Sequence, residues 1–486
     1  MSILYRSAFG LAADIKAGKL SSVQVLEFYL ERIERLNQPL NAVVALNTDA
    51  ALARAVEADA AAAAGNDWGP LHGVPMTIKD GWCTAGLVTT GGIPGQAENV
   101  PARNAAPVQR LLDAGAVVFG KTNVPFMSAD LQTFNDVYGV TNNPWNLERT
   151  PGGSSGGAAA AVAAGLTPLE IGSDIGGSIR TPCHFSGIYG HKSSFGLTST
   201  QGYLPPGDDV VAESDLTVAG PIATCVDDLE QTLNLLAGAP REFSAAPRPC
   251  LAPASFASPS ELRVAVWADD PFCPVENSVR EHIEAAAETL TQLGASVDAT
   301  ARPAIDFEAN HVNYVQLFMS VLSADMPRSV HDSARAAVAA ADPEDMREPL
   351  LQMRGISLSL NDWRRQDDIR QRTRLAWEAF FEDFDVLLCP CVHVPAFRHD
   401  PNPDLQARHL TVNGVERPYG ELTRWAGLTL NAYLPITAVP LGTTREGLPV
   451  GMQIAGRYLG DRTTLAVAKL LETHHRAFVP PPGYAD

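Results

Sequence analysis

The sequence predicts an α/β fold, because strands alternate with helices along the chain instead of segregating into runs of one kind. Two stretches and the composition carry that reading. Residues 71–78 have the apolar, β-prone look of a strand, 105–114 read as a helix and 117–120 as a short buried strand, giving the order β, α, β. A second strand–helix unit follows at 262–267 and 279–293. Of 486 residues, 45% are hydrophobic and 19% charged, enough apolar material for a sizeable buried core.

The other elements follow in order. Residues 7–37 form two amphipathic helices, with Leu26, Tyr29, Leu30 and Ile33 at helical spacing and Ser21 or Ser22 as cap of the second. Residues 51–64 make a helix of high propensity, ended by Gly65-Asn66-Asp67. A glycine–serine turn, G-G-S-S-G-G at 152–157, runs into an Ala-rich segment and a second turn, G-S-D-I-G-G-S-I-R at 172–180. Residues 227–237 read as a helix whose opening acidic residues suit its N-terminus. Pro, Ala and Ser dominate 239–260, a surface connection. Helices then prevail over 307–381, before the strand D-V-L-L-C-P. Residues 395–419, polar, proline-bearing and without periodicity, are expected to be a long exposed loop, and 435–471 read strand, turn, strand, helix.

Charge and cysteines narrow the function class. A net charge of −19 argues against nucleic acid or an anionic membrane as partner. Seven cysteines, an odd and scattered number, suit a reducing compartment better than a disulfide framework. Arg6, Asp14, Lys16 and Lys19 leave no apolar core for a signal peptide, and no run of about 18 apolar residues appears. The expectation is an acidic cytoplasmic protein acting on a small molecule.

The two glycine turns are where chemistry is expected. Neither is a phosphate loop, since no Gly-Lys-Ser/Thr follows, and neither has the glycine spacing of a G-x-S-x-G elbow. What remains is Ser154 and Ser178, each set in glycines that let backbone approach a reacting group. One such serine is ordinarily a plain turn; here two bracket one short helix. The N–H groups around Ile175, Gly176, Gly177 and Ser178 lie in a turn able to wrap an oxyanion.

With G-V-P-M-T-I-K-D at 73–80, N-N-P-W-N at 142–146 and the closing A-V-P-L-G…G-L-P-V-G-M-Q-I-A-G-R, these turns resemble the amidase signature family. The resemblance implies one large α/β domain over 1–486, a mixed β-sheet covered on both faces by helices. Within it, 1–65 would be an N-terminal helical segment, 66–240 the catalytic core and 245–430 a variable region over the active site. It implies a Ser–Ser–Lys triad of Ser178 as nucleophile, Ser154 as bridge in a cis peptide and Lys79 as base. The amides of Ile175, Gly176, Gly177 and Ser178 would form the oxyanion hole. Ser173 would support the bridging serine, while Asp174 and Arg180 hold the loop. The implied activity is hydrolysis of a carboxylic amide through an acyl-enzyme, with aryl amides, esters and carbamates in reach and neither metal nor cofactor needed. The implied state is a monomer or homodimer. Two alternatives stay open: an ammonia-producing glutaminase subunit of a tRNA-dependent amidotransferase, and a catalytically silent binding protein.

Other readings compete at single residues. To act as a base Lys79 must fall roughly two to three units from a pKa of about 10.4, which burial provides if Asp80 turns to the opposite strand face. His72 or His191 suggests a Ser–His pair instead, and Lys121 and Lys192 are further basic candidates, structural by resemblance. Cys389, Cys391 and His393 alternate along one strand face, as a metal site or as ordinary packing. For the substrate, Phe126, Met127, Ser128, Ala129, Asp130 and Gly153 are candidate contacts, Asp130 standing where relatives often have a small or hydroxyl residue. The apolar set Phe126, Met127, Leu131, Phe134 and Tyr138 is either plain core or a wall favouring hydrophobic or aryl amides over glutamine.

Overall fold

Two larger sheets and two short hairpins organise the chain in its computed structural model, which describes residues 2–207, 211–240 and 249–486. The predicted connection at 239–260 lies partly outside those residues. The chain opens with α1 (Ala8–Lys16) and α2 (Ser22–Leu40). Ser21 caps α2 through a capping box with Gln24, and Val25, Leu26, Tyr29 and Ile33 form its buried face.

The smaller sheet comes next. It is built from β1 (Val43–Leu46), β2 (Pro75–Lys79) and β3 (Val117–Thr122), with α3 (Thr48–Ala63) and α4 (Ala106–Asp113) in the connections. β3 is central, antiparallel to β1 and parallel to β2, so the predicted β–α–β unit is present. Its first strand starts at Pro75 instead of 71. Gly73 sits at φ 70° in a turn in which Val74 N–H bonds back to the Leu71 carbonyl, so apolar character there reflects burial, not pairing.

A hairpin of β4 (Phe134–Asn135) and β5 (Gly139–Val140) precedes α5 (Gly156–Ala163), every residue of which is buried. A helix apolar all round belongs inside a protein. This one packs against β1, β2 and β3 of the small sheet and against β6 (Leu169–Asp174) and β8 (Val218–Ala223) of the large one. Its alanines and glycines set how closely the two sheets approach. A Cβ on Gly157 would lie 2.3 Å from the Asn123 backbone nitrogen.

The larger sheet has eight strands. To β6 and β8 it adds β7 (Tyr189–Lys192), β9 (Arg263–Val266), β10 (Ser296–Asp298), β11 (Val386–Pro390), β14 (Ile436–Thr443) and β15 (Pro449–Gly456), in the order β10-β9-β11-β15-β14-β7-β8-β6. It is mixed: β9 runs parallel to β10 and β11, and the remaining pairs are antiparallel. Helices cover both faces. Along β8, Ile222 packs with α5 and α6 (Arg180–Ser186), while Ala219 and Ala223 point the other way, into the core that holds α7 (Val226–Leu236), α8 (Asn277–Gln292) and α14 (Asp461–His474). Beyond one end lie α9 (Phe307–Leu322), α10 (Arg328–Ala340), α11 (Glu348–Ile356), the long α12 (Leu360–Asp383) and the short α13 (Arg424–Leu430).

The expected loop at 395–419 is corrected. It contains the hairpin β12 (His409–Val412) and β13 (Val415–Pro418), with Leu410 and Val412 buried beside Val394, Ala396 and Tyr419. The period-2 pattern is there, yet it spans only four residues, too few to stand out from their polar neighbours.

The close approach of α5 makes a test. Ala for Gly in a helix interior ordinarily stabilises by about 1 kcal/mol. Gly157→Ala is expected to do the opposite, lowering stability by about 1–3 kcal/mol through overpacking against Asn123. Denaturant unfolding of the two proteins reads the sign.

Candidate active site

Three pieces of chain converge on one buried amine. β2 ends at Lys79, the turn before α5 supplies Ser154 and Ser155, and β6 delivers Ser173 and Asp174. β2 does not hydrogen-bond into the large sheet as a ladder. It lies along the edge strand β6, held by Lys79 N–H to a Glu170 oxygen (3.2 Å) and Thr77 N–H to Thr167 Oγ1 (3.1 Å). Side chains thus replace a strand pairing at the seam where the site sits.

Lys79 is fully buried, and its Nζ lies 2.7 Å from Ser154 Oγ, 2.8 Å from Ser173 Oγ and 3.0 Å from Ser155 Oγ. No carboxylate of the described residues shares this shell. Burial therefore lowers its pKa to about 7, only partly opposed by the charges of Asp174 and Glu170. A neutral amine has two hydrogens and one lone pair, so facing three hydroxyls it takes a hydrogen from one of them. Asp80 turns away as expected, its carboxylate accepting from the N–H and hydroxyl of Thr90. Glu170 is itself buried, and burial, against bonds from Thr122 and Thr77, raises its carboxyl to about 7.

The second turn is fixed by an ion pair. Asp174 and Arg180, both fully buried, meet at 2.8 Å and 3.0 Å in a two-point contact. Burial alone would raise the Asp174 carboxyl, but Arg180 outweighs it and holds the group well below the usual carboxylate range. The other guanidinium nitrogen reaches the Ala426 carbonyl (2.9 Å) and Gln453 (2.9 Å), tying the turn to α13 and β15. Asp174 also accepts the N–H of Gly177 at 2.9 Å and of Ile179 at 3.0 Å.

That bond corrects one expectation. Gly177, at φ 108°, gives its N–H to Asp174 and does not offer it to a substrate oxygen. The N–H groups of Ile175, Gly176 and Ser178 have no acceptor among the described residues. Ser178 is 4% exposed and lines a cavity, and its Oγ makes no hydrogen bond to Ser154 among the described residues. The two turns are joined through backbone, Ser155 N–H to the Ser178 carbonyl at 3.1 Å. The Gly153–Ser154 peptide bond is cis, as the resemblance implies.

The cavity above Ser178 has a volume of about 340 Å³. Phe126, Met127, Ser128, Ala129 and Asp130, the candidate substrate contacts, line it. Gly153 does not; it is buried behind them, where a Cβ would meet the Asp130 carbonyl at 2.6 Å. Leu131 lines the cavity, whereas Phe134 and Tyr138 do not: Phe134 lies under the Arg408 guanidinium and the Tyr138 carbonyl accepts from Asn41. The remaining wall comes from α9 and α11, including Val315, Phe318, Met319 and Glu348, and from Leu405, Gln406, Tyr419, Gly420 and Thr423. Asp130 is not a free acid, being paired with Arg408 at 2.6 Å and accepting from the Tyr419 hydroxyl at 2.5 Å.

Two contacts carry little or no trace in the sequence. Ser155 is one; it reaches Lys79 in place of capping α5, and its position beside Ser154 is the only signal for it. Tyr203 is the other, accepting from the Ser173 hydroxyl at 2.5 Å with its ring 5.8 Å from Lys79 Nζ. It comes from an irregular stretch after β7 that carries no periodic or motif signal. Ser173 accordingly contacts Lys79 and Tyr203, a different support from the one expected.

The competing readings are resolved by position. The His72 nitrogens meet the Ala58 carbonyl and Trp68 N–H, and His191 bridges Thr437 and Asp461, so neither reaches Ser154 or Ser178. Lys121 bonds the Trp82 carbonyl and Thr84, and Lys192 the Ser193 carbonyl. The trio Cys389, Cys391 and His393 is not assembled, because the chain leaves β11 after Pro390; His393 stands instead with Cys273 and Glu421. Both Glu421 oxygens there are already paired, with Arg417 (2.8 Å) and Arg424 (3.2 Å).

Comparison with known proteins agrees with this geometry. The family model described as Amidase matches residues 24–465. A glutamyl-tRNA(Gln) amidotransferase subunit from Chloroflexus aurantiacus is 34% identical over 494 aligned positions, covering 95% of this chain and 96% of that protein. The corresponding subunit from Symbiobacterium thermophilum is 32% identical over 488, with coverage of 95% and 96%. Among solved structures, a bacterial aryl acylamidase of the amidase signature family matches with a TM-score of 0.79 at 25% identity, covering 97% of this chain and 96% of that one.

Glu170 provides a test of the electrostatics at Lys79. Its negative charge favours the ammonium, so Glu170→Gln is expected to lower the Lys79 pKa further below about 7. If neutral Lys79 is the working form, the alkaline-rising limb of activity moves to lower pH; a limb that moves up or stays fixed contradicts the coupling.

Proposed function

The chain belongs to the amidase signature family, and from that premise we propose that it is an amidase acting alone on amides with a largely apolar body and no anionic group. The observation that carries the catalytic part is the buried amine of Lys79, free of any carboxylate partner and bonded to Ser154. In this reading Ser178 Oγ attacks the amide carbonyl, forming the C–O bond, while its proton passes to Ser154 and that of Ser154 to Lys79. The oxyanion is met by N–H groups of Ile175, Gly176 and Ser178. Return of the proton along the same relay to the amine nitrogen accompanies C–N cleavage. Water then attacks the acyl-enzyme by the same path and the acid leaves. The Ser178–Ser154 hydrogen bond that this needs forms as substrate seats, a tightening common in active sites.

The cavity supports the substrate class. Its walls carry Phe126, Met127, Leu131, Phe318 and Met319, and no Lys or Arg occurs among the described residues lining it. A glutamine would have to desolvate its α-carboxylate there with no cation to receive it. The sequence relatives favour a second reading: the 32–34% identity over nearly the full length is to amidotransferase subunits, which points to ammonia production from glutamine within a complex.

Steady-state assays of the purified chain separate the two. An anilide is expected to exceed glutamine in kcat/KM by about 100-fold or more, the penalty of one unpaired buried charge. The reverse order establishes the second reading. Ser178→Ala is expected to lose nearly all turnover with its Tm retained, and intact-mass analysis after fluorophosphonate labelling to place the adduct on Ser178; an adduct on Ser154 refutes the assignment.

The pH profile tests the base. Only neutral Lys79 accepts a proton, so activity should rise with pH through about 7. Lys79→Ala removes that limb and most of the rate, whereas His72→Ala and His191→Ala leave its shape unchanged. Near-normal turnover in Lys79→Ala overturns the relay.

A further inference from the structure

One carboxylate of the cavity is engaged by the protein at a single oxygen. Among its described lining residues the carboxylates are Asp130 and Glu348. Asp130 is fully engaged by Arg408 and Tyr419. Glu348, the first residue of α11, is 24% exposed at its side chain and uses only Oε2, which lies 3.0 Å from His311 Nε2. A carboxylate only accepts, so His311 carries its hydrogen on Nε2, and its Nδ1 is buried without a partner among the described residues. Oε1 of Glu348 has no partner among them either. The adjacent Arg347 does not compensate: its guanidinium is 84% exposed and paired with Asp345 at 2.6 Å.

The cavity that Glu348 lines is mixed, with Gln406, Tyr419 and Thr423 among its polar members. Met319, Leu322 and Met326 line the same cavity, and the other polar group that α11 sends into it is Gln352, one helical turn after Glu348. A carboxylate facing a cavity whose described lining holds no Lys or Arg gains by pairing with a ligand cation.

We infer that Glu348, assisted by Gln352, is a subsite for a protonated amine, so that the substrate is an amide with an apolar body ending in an ammonium group. The inference rests on the amidase reading for which end reacts, and on Glu348 alone for the ammonium. A purely structural role, tying α11 to α9 through His311, is the competing account. Glu348→Gln separates them, since the amide oxygen still accepts from His311 while the charge is gone.

Two measurements are needed. The first compares kcat/KM for p-nitroanilides of straight-chain ω-amino acids with their methyl-ended counterparts, over a series of chain lengths. The unaltered protein is expected to prefer the amino member by about tenfold or more at the best length, the worth of a hydrogen bond to a charged group. In Glu348→Gln that ratio is expected to fall to about one. The second is calorimetric titration of n-hexylamine and n-hexanol into the Ser178→Ala protein, with and without Glu348→Gln; hexylamine should bind more tightly than hexanol only where Glu348 is present. Hexylamine binding that needs Glu348, with no anilide hydrolysed, leaves the subsite standing and removes the amidase reading. Anilide turnover with an amino-to-methyl ratio unmoved by Glu348→Gln, or hexylamine binding equal in the two proteins, overturns the subsite.

Discussion

The burial of one lysine among hydroxyls is the constraint on which the rest depends. An amine sealed from water and paired with a carboxylate would remain an ammonium, useless as a base. Sealed among Ser154, Ser155 and Ser173, it has hydrogen-bond partners in either protonation state but no counter-charge in contact. The fold arranges this by keeping both nearby carboxylates busy elsewhere. Asp80 faces the far side of β2 toward Thr90 and Lys121, and Asp174 is locked on Arg180. Glu170 accepts the backbone N–H of Lys79 and not its Nζ, and burial raises its carboxyl to about 7.

The same economy explains the second turn. Asp174 accepts from Gly177, Ile179 and Arg180, so one carboxylate sets the path of the backbone from β6 into α6. Using the Gly177 N–H in this way removes one candidate oxyanion donor and fixes the direction of its neighbours. Breaking the ion pair would leave a buried charge uncompensated, at a cost of about 3–5 kcal/mol. The turn is therefore rigid without needing a contact from the substrate. α5 acts in parallel: its small residues let the two sheets close on it, which brings the end of β2 within reach of the end of β6.

The catalytic centre was legible in the sequence because backbone geometry demands particular residues there. Glycines that tolerate no Cβ, a lysine closing a strand and serines inside tight turns leave a local imprint. The alternation of strand and helix at 71–120 was visible for the same local reason, and so was the capped start of α2. What was not legible depends on distant partners. Tyr203 lies in an irregular segment, the use of Gly177 is decided by where Asp174 points, and Gly153 looks like a ligand-facing glycine until its neighbour Asp130 is seen. The β12–β13 hairpin failed for a different reason, being too short for its alternation to register.

The likeness to amidotransferase subunits and the apolar cavity are compatible once the two are assigned to different parts of the chain. The match to those relatives spans 95% of this chain, and the chemistry expected of Lys79, Ser154 and Ser178 is indifferent to what the rest of the substrate looks like. Selectivity arises from the wall instead, and that wall is largely α9 and α11 with the 126–131 segment. There a Met or Phe is held only by packing, so substitution is tolerated within limits of volume and patterning, and the pocket can change while the relay does not. Asp130 illustrates the step. A carboxylate facing an acyl pocket would ordinarily change its chemistry, but Arg408 and Tyr419 engage it, leaving its charge paired within the protein. A shared family therefore speaks to the bond-breaking step, and the substrate has to be argued from the side chains placed above it.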